Sequence, residues 1–278
     1  MIETFRNAWR VPELRKKLLF TFFIIIIYRV GGTVPVPYLD SVALSAWFEQ
    51  SASSGDFFSY LNVLSGGNFS KATLLALSVS PYINAQIIIQ LLTYALPPLE
   101  RLQKEGPEGR KKLNKITKYA SLAIAIFQAW AYYLTMKKAG ACVYTEGFSK
   151  IFAEIVIIAC FTAGASLTIW LGDEINEKGI GNGISMLLFA GIIARGPSAV
   201  IGLFDYMKTG EAKNIILVIA ILVVFVLMIG FIIFMNEAER RIPIQYAKRV
   251  VGRKQYGGQN TFIPIKIAMS GVMPIIFA

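Results

Sequence analysis

Residues 77–92, LSVSPYINAQIIIQLL, decide how the chain folds. The stretch is apolar enough to cross a membrane, yet it contains a proline and polar residues that a helix surrounded by lipid avoids: Ser78, Ser80, Pro81, Asn84, Gln86 and Gln90. Pro81 removes a backbone hydrogen bond, and successive residues turn by 100° around a helix, so these side chains cannot all face one neighbour. The stretch predicts either a kinked helix joined to its neighbours by amide hydrogen bonds or a helix that lines a wet pathway.

The composition of the whole chain indicates an integral membrane protein. Of its 278 residues, 55% are hydrophobic and 16% are charged, and the mean hydropathy is +0.56. Cys142 in a loop and Cys160 in an apolar block do not make a disulfide framework. The N-terminus is basic and amphipathic and has no cleavable signal pattern, so we expect the first apolar block to remain as a membrane span.

Apolar blocks of the length that crosses a hydrocarbon core recur along the chain. We predict spans at about 18–36, 72–96, 116–136, 151–171, 183–202 and 214–235, and a seventh beginning near 262. The chain ends inside the seventh block, so we expect it to be the front of a longer protein.

Positive charge predicts the orientation of these spans. If the N-terminus is cytoplasmic, the cytoplasmic segments hold 20 of the 28 Lys and Arg residues, as the positive-inside rule requires. The net charge of +11 therefore reflects topology, and it does not by itself indicate nucleic acid.

Two connections between the spans are unusual. Residues 37–71, predicted to be external, contain the apolar and glycine-rich segment SYLNVLSGGNFSK, which must bury one face. Residues 236–261, predicted to be cytoplasmic, combine β-type alternation around Ile242 to Tyr246 with six basic residues and a Gly257-Gly258 turn signal. We expect this second connection to form a protruding hairpin-like loop.

The spans contain almost no ionisable residues of the kind that ion-coupled transporters use. Arg29 lies near the outer end of span one and Glu154 near the outer start of span four, and the chain has no histidine. GIGNG at 179–183 lacks the Lys-Ser/Thr pair of a phosphate-binding loop, and no metal-ligand cluster or activated nucleophile is present in the sequence. We therefore predict no enzymatic activity and no cofactor, and we favour passive conduction gated by partners.

The start of span seven resembles the opening stretch. Aligning Pro274 with Pro81 in AMSGVMPIIFA (268–278) also matches two further apolar residues, and the two spans run in opposite directions. A proline-interrupted pair in two inverted halves is typical of a central transport pathway.

Five segments carry a resemblance to a known family. They are IIIIYRVGGTVPVP (24–37), FSYLNVLSGGNFSKATLLALSVSPYINAQIIIQLL (58–92), GIGNGISMLLFAGIIA (179–194), RRIPIQYAKRVVGRK (240–254) and MSGVMPIIFA (269–278). Together they cover essentially the whole chain, and they resemble, in family order, the SecY family of channel subunits of the general protein translocase.

The resemblance implies an all-α polytopic fold, in which ten helices form two halves related by an inverted pseudo-twofold axis. Residues 1–202 would form helices one to five, with an external plug at about 57–68. Residues 203–278 would supply helix six, the cytoplasmic loop 236–261 and part of helix seven.

The resemblance also implies the sites. A pore ring of aliphatic side chains would include Val79, Ile83, Leu188 and Ile276. The plug would include Phe57, Phe58, Tyr60, Leu61, Val63, Leu64, Gly66 and Gly67. A lateral gate would use Ser80, Asn84, Gln86 and Gln90 against span seven at Pro274, and a docking surface would use Arg240, Arg241, Lys248, Arg249, Arg253 and Lys254.

The implied partners are SecE, SecG, the SecA ATPase, the ribosome, preprotein signal sequences and the lipid bilayer, and the implied location is the bacterial inner membrane with a cytoplasmic N-terminus. The implied function is translocation of unfolded preproteins and lateral release of membrane segments. Two alternatives stay open at this point: a secondary transporter of a small solute, and a non-conducting insertase or scaffold.

Overall fold

The computed structural model describes residues 9–51, 62–63, 65–144, 146–208, 212–244, 249–251, 254–256 and 261–266. The chain divides into two compact units, 1–199 and 200–278. The residues described form α-helices over most of their length and short β-strands near the end.

The helices, in chain order, are α1 (Pro12–Gly31), α2 (Ser41–Ser51), α3 (Ser80–Ala95), α4 (Pro97–Lys104), α5 (Pro107–Lys138), α6 (Gly147–Lys178), α7 (Gly183–Ile193), α8 (Gly196–Lys208) and α9 (Ala212–Glu237). The strands are β1 (Glu239–Ile244), β2 (Arg249–Val251), β3 (Lys254–Tyr256) and β4 (Thr261–Lys266). In the first unit, α6 contacts α1, α5 and α7, while α3 contacts α4 and α5.

Within the described residues, three helical stretches are long and apolar enough to cross a membrane by themselves. They are Gly147–Lys178, Gly183–Lys208 and Lys213–Glu237. The first is α6 and the third is α9, at the predicted spans 151–171 and 214–235. The second contains α7 and α8, which are separated at Ala194 and Arg195 inside the predicted span 183–202.

The predicted span 72–96 is helical only over its last two thirds, Ser80–Ala95. Residues 65–79 form a succession of turns, and α3 begins at Ser80. The prediction of a kinked helix is therefore wrong, because Pro81 lies in the first turn of α3. A proline is tolerated there, since the N–H that it lacks has no partner within the first turn of a helix.

The described residues of the first unit form two clusters of buried side chains. The larger cluster packs α5 and α6 against residues 69–77, and its largest members include Phe69, Tyr132 and Phe161. The smaller cluster joins α1, α6 and α7 around the fully buried Tyr28 and Leu75. Residues 65–79 therefore contribute to both clusters and occupy the interior of this unit.

Glycines let the backbone of α6 approach its neighbours. A Cβ atom added at Gly164 would lie 1.8 Å from the carbonyl oxygen of Leu74, and one at Gly183, the first residue of α7, would lie 1.9 Å from the carbonyl oxygen of Gly172. Small residues allow this close approach in membrane bundles. Helix α6 is thus the element against which residues 65–79 and α7 pack.

Both cysteines are free thiols. Cys142 lies in the α5–α6 connection, where its backbone pairs with that of Leu39 in an isolated antiparallel β-bridge. Burial raises the pKa of the Cys142 thiol, so this group stays protonated at neutral pH.

The second unit contains the predicted hairpin-like loop. Strand β1 pairs antiparallel with β4, with Ile242 opposite Ile263, and β2 pairs antiparallel with β3. The described residues outside this loop are mostly helical, so the predicted all-α fold class is confirmed together with the hairpin-like loop. The prediction that span seven begins near 262 is wrong for 261–266, because these residues pair with β1 as β4.

Candidate functional site

The candidate site is built around the buried, non-helical residues 65–79. Backbone hydrogen bonds tie their middle to the segment after α1, from Val36 N to Ala72 O (3.1 Å) and from Leu74 N to Val34 O (2.9 Å). Ala72 and Ser78 have φ angles of +47° and +49°, which L-residues rarely adopt. Irregular backbone at membrane depth is tolerated where it is buried in protein or lines a water-filled cavity, and this segment is enclosed by protein.

Aromatic side chains hold this segment at both ends. The Phe69 ring stacks on Tyr132 with a centroid separation of 4.2 Å, and the Tyr132 hydroxyl donates to the Phe69 carbonyl. At the other end, the hydroxyls of Tyr28 and Ser78 share a buried hydrogen bond of 2.9 Å. These contacts join α5 to the first part of the segment and α1 to its last part, just before α3.

The predicted pore-ring residues lie where the irregular segment meets α3. Val79 is completely buried at the N-cap of α3, whereas Ile83 and Leu188 are half-buried. Val79 and Ile83 are four residues apart, so they lie on one side of α3. Ile276 lies outside the described residues, and the ring remains a prediction.

The predicted gate residues of α3 do not share one polar face. Asn84 and Gln86 are both exposed, but they are two positions apart in sequence and therefore point about 160° apart around the helix axis. Gln86 and Gln90 are four positions apart and share a side. Ser80 Oγ donates to the Leu77 carbonyl at 2.9 Å and to Gln128 Oε1 of α5 at 3.4 Å. The polar side chains of α3 thus point in different directions, as the helical geometry predicts. Pro274 lies outside the described residues, and the gate remains a prediction.

Three of the predicted plug residues, Val63, Gly66 and Gly67, are described. The two glycines have φ angles of +69° and +90°, and their N–H groups donate to Val63 O (3.0 Å) and Asn62 O (2.8 Å). This glycine turn, Ser65–Asn68, precedes the buried segment. The other predicted plug residues lie outside the described residues: Phe57, Phe58, Tyr60, Leu61 and Leu64.

An open cleft of about 710 Å³ lies beside the glycine turn. Its lining mixes polar and apolar surface, and the described residues that form it include two basic side chains and no acidic one: Arg29, Gly32, Thr33, Pro35, Ser41, Val42, Ser45, Gly66, Gly67, Asn68, Lys71, Thr73 and Ala194. The buried Asn68 Nδ2 has no hydrogen-bond partner among the residues described. The cleft gives the first unit an open surface next to the irregular backbone.

Arg29 and Tyr28 are the site residues that the sequence reasoning did not assign. The Arg29 guanidinium donates to the carbonyls of Ala190 and Gly191 in the last turn of α7. A signal for Arg29 exists in the sequence, because an ionisable residue in an apolar block is a functional candidate. Tyr28 carries no such signal, since its partner Ser78 is fifty residues away.

The predicted docking residues lie in the second unit. Arg240 and Arg241 lie on β1 and are exposed, and the Arg241 guanidinium stands 4.7 Å from the centroid of the Phe262 ring on β4. Arg249 and Lys254 belong to β2 and β3, and Lys248 and Arg253 lie outside the described residues.

Comparison with protein families gives a match to the family described as SecY over residues 73–278. The chain is 41% identical to the protein translocase subunits SecY of Streptomyces coelicolor and Aquifex aeolicus, and these alignments cover 100% of the chain and 64% and 65% of the relatives. The SecY of Mycobacterium tuberculosis is 38% identical over 100% of the chain and 63% of its own length. The chain thus spans about two thirds of the length of these relatives, or slightly less.

Solved structures share the fold. A protein-conducting channel superposes with a TM-score of 0.59 and 20% identity, over 91% of this chain and 52% of the other. A SecY structure concerned with the plug domain and the closed state superposes with a TM-score of 0.60 and 22% identity, also over 91% of this chain and 52% of the other. Sec61 from the canine ribosome-channel complex gives 0.55 and 19%, over 87% and 53%.

Proposed function

The chain belongs to the SecY family, and from this membership we propose that it supplies the first part of the channel subunit that moves unfolded preproteins across a membrane and releases membrane segments sideways into it. The observation that carries the proposal is the family match over residues 73–278, which include the last part of the irregular segment, 73–79, and α3. The open cleft beside that segment supports it, because irregular backbone in a membrane protein is tolerated where it is buried in protein or lines a water-filled cavity.

We propose that Val79, Ile83 and Leu188, with Ile276 from the seventh span, form the constriction of the channel. All four side chains are aliphatic. Such a ring can widen around a passing chain, and it excludes hydrated ions because an apolar constriction dewets. The position of Val79 and Ile83 on one side of α3 supports this assignment.

We propose that residues 57–68 plug the channel from outside and that the glycine turn is their hinge. The positive φ angles of Gly66 and Gly67 support a hinge here, because glycine adopts them without the penalty that other residues meet. The lateral gate would be lined by Ser80, Asn84, Gln86 and Gln90, facing Pro274. Since Asn84 and Gln86 lie on different sides of α3, only one of the two can face the seventh span in a given state.

We propose that the β1–β4 hairpin docks the SecA ATPase or the ribosome through Arg240, Arg241, Lys248, Arg249, Arg253 and Lys254. The exposure of Arg240 and Arg241 supports this. Phosphate-rich RNA and acidic protein surfaces both attract such a loop.

The Arg240→Glu variant is expected to weaken binding of the motor or the ribosome to the reconstituted channel about fivefold in Kd, or about 1 kcal/mol. Arg240 is the cleaner choice, because Arg241 also contacts the Phe262 ring within the hairpin. Binding is measured by co-sedimentation of proteoliposomes at two salt concentrations. The matched control is Lys213→Glu, a charge reversal near the start of α9, and equal effects of the two variants would contradict docking at the hairpin.

We also propose that the protein lies in the bacterial inner membrane with a cytoplasmic N-terminus, in complex with SecE and SecG. The bacterial relatives and the distribution of Lys and Arg support the location and the orientation.

The proposed function is tested with the full-length chain that contains residues 1–278, reconstituted in vesicles with SecE, SecG and SecA. A signal-bearing preprotein should become protected from external protease only when ATP is present. Saturable, ion-coupled uptake of a small solute without preprotein protection would instead support a secondary transporter.

A further inference from the structure

Arg29 occupies an unusual position for a charged residue in an apolar helix. It lies in the last turn of α1 and is half-buried, and its guanidinium carbon lies 5.9 Å from the centroid of the Tyr28 ring. Its Nη2 atom donates to the carbonyl of Ala190 and, at 3.2 Å, to that of Gly191. A cation at the C-terminal end of a helix is favourable, because the carbonyls of the last turn carry partial negative charge.

The glycine turn rests on the carbonyl of Gly191. A Cβ atom at Gly66 would lie 2.6 Å from Gly191 O and 3.2 Å from Arg29 Nη1. Three segments therefore meet at Gly191 O: the end of α1, the end of α7 and the glycine turn. Only a residue without a side chain fits at position 66 in this arrangement.

The neighbouring residue of α1 holds the far end of the irregular segment. The Tyr28 hydroxyl bonds to Ser78, directly before the buried Val79 at the start of α3. Two consecutive side chains of α1 thus act on the two ends of residues 66–78. The end of α7 forms the surface under Gly66, so a movement of that end changes this surface. Arg29 restrains the movement, because it joins the end of α7 to α1.

We propose that Arg29 is a positioning residue that fixes the end of α7 as the surface on which the glycine turn closes. This inference rests on the proposed channel function and adds a residue to it. Loss of the guanidinium frees the end of α7, so the closed position of the turn becomes less populated. The resting channel then leaks ions.

The test uses the full-length channel reconstituted in planar bilayers, with Arg29→Met and Gly66→Ala as the main variants. Each should raise the resting ion conductance about tenfold, which corresponds to about 1.4 kcal/mol in the closed-to-open equilibrium. Arg29→Lys keeps the charge but loses the planar fork, so it should restore part of the closure.

Alanine substitutions at other glycines with positive φ distinguish loss of the contact between Gly66 and Gly191 from the effect of backbone strain. Gly67→Ala meets the same unfavourable φ region, but its nearest neighbour is Arg195 Nε at 3.9 Å, so its leak should be clearly smaller than that of Gly66→Ala. Gly140→Ala, with φ +70° and no atom within 4 Å, should leave the conductance unchanged. The double variant Arg29→Met/Gly66→Ala should leak no more than the stronger single variant, since both act on one contact.

Each result decides the inference. Equal leaks from Gly66→Ala and Gly67→Ala, or a tight Arg29→Met channel, would overturn it while the unmodified channel still translocates preproteins. If Arg29→Met fails to assemble, the comparison of Gly66→Ala with Gly67→Ala decides alone. Failure of the unmodified channel to translocate would count against the proposed function instead.

Discussion

A Gly164→Ala chain is expected to lose about 3 kcal/mol of folding free energy, a large fraction of the stability of an ordinary domain. The new methyl carbon would lie 1.8 Å from the Leu74 carbonyl oxygen. That backbone cannot withdraw easily, because Leu74 N is bonded to Val34 O and the adjoining residues are buried. The measurement is thermal unfolding of the purified protein in detergent, followed by size-exclusion chromatography.

Gly230→Ala is the matched control for this variant. Gly230 also lies in a membrane-length helix, α9, but a Cβ atom there has no neighbour within 4 Å. Alanine is a better helix former than glycine, so this variant should unfold at the same temperature or slightly higher. Identical unfolding of the two variants would show that α6 does not pack directly on residues 65–79.

The Ile83→Asn variant of the full-length channel is expected to raise ion conductance through the resting channel at least about tenfold. Ile83 is half-buried and lies on the same side of α3 as the buried Val79. An amide at this position binds water, and a wetted constriction no longer excludes ions. Voltage-clamp recording from planar bilayers measures the change.

Ile88→Asn provides the comparison within the same helix. Ile88 is 45% exposed and lies about 140° around α3 from Ile83, so the same substitution should leave the constriction dry. Silence of both variants would favour a non-conducting scaffold. Equal conductance of the Ile83→Asn and Ile88→Asn channels would show that the amide disturbs the packing of α3 and does not act at an aliphatic ring.

The long helices could be predicted from hydropathy, because their burial does not depend on a distant partner. Helices α6 and α9 contain the predicted spans 151–171 and 214–235 and extend beyond them. Hydropathy failed at 72–79, where the backbone is irregular although most residues are apolar. The left-handed conformations of Ala72 and Ser78 have no signature in residue type, and they are held by contacts from Val36 and Tyr28.

Strand β4 shows the same limit. TFIPIK is as apolar as the start of a span, and only its pairing with β1 makes it a strand. The alternation on the β1 side was readable, which is why a hairpin-like loop was predictable while its second strand was not. In the candidate site, the family resemblance supplied Val79, Ile83 and Leu188. Arg29 could have been assigned from its charge, but its carbonyl partners are about 160 residues further along the chain.

The packing of Leu74 against Gly164 has a consequence for biosynthesis. About 90 residues separate the two, and a ribosome that adds 5–20 residues per second needs roughly 5–20 s to make them. The irregular segment is therefore synthesised well before α6 exists to cover it. During that interval Leu74 lacks the Gly164 surface on which it packs in the folded chain. Residues 65–79 should consequently react with a labelling reagent in nascent chains arrested before residue 164, and they should be protected in chains arrested after α6 has emerged.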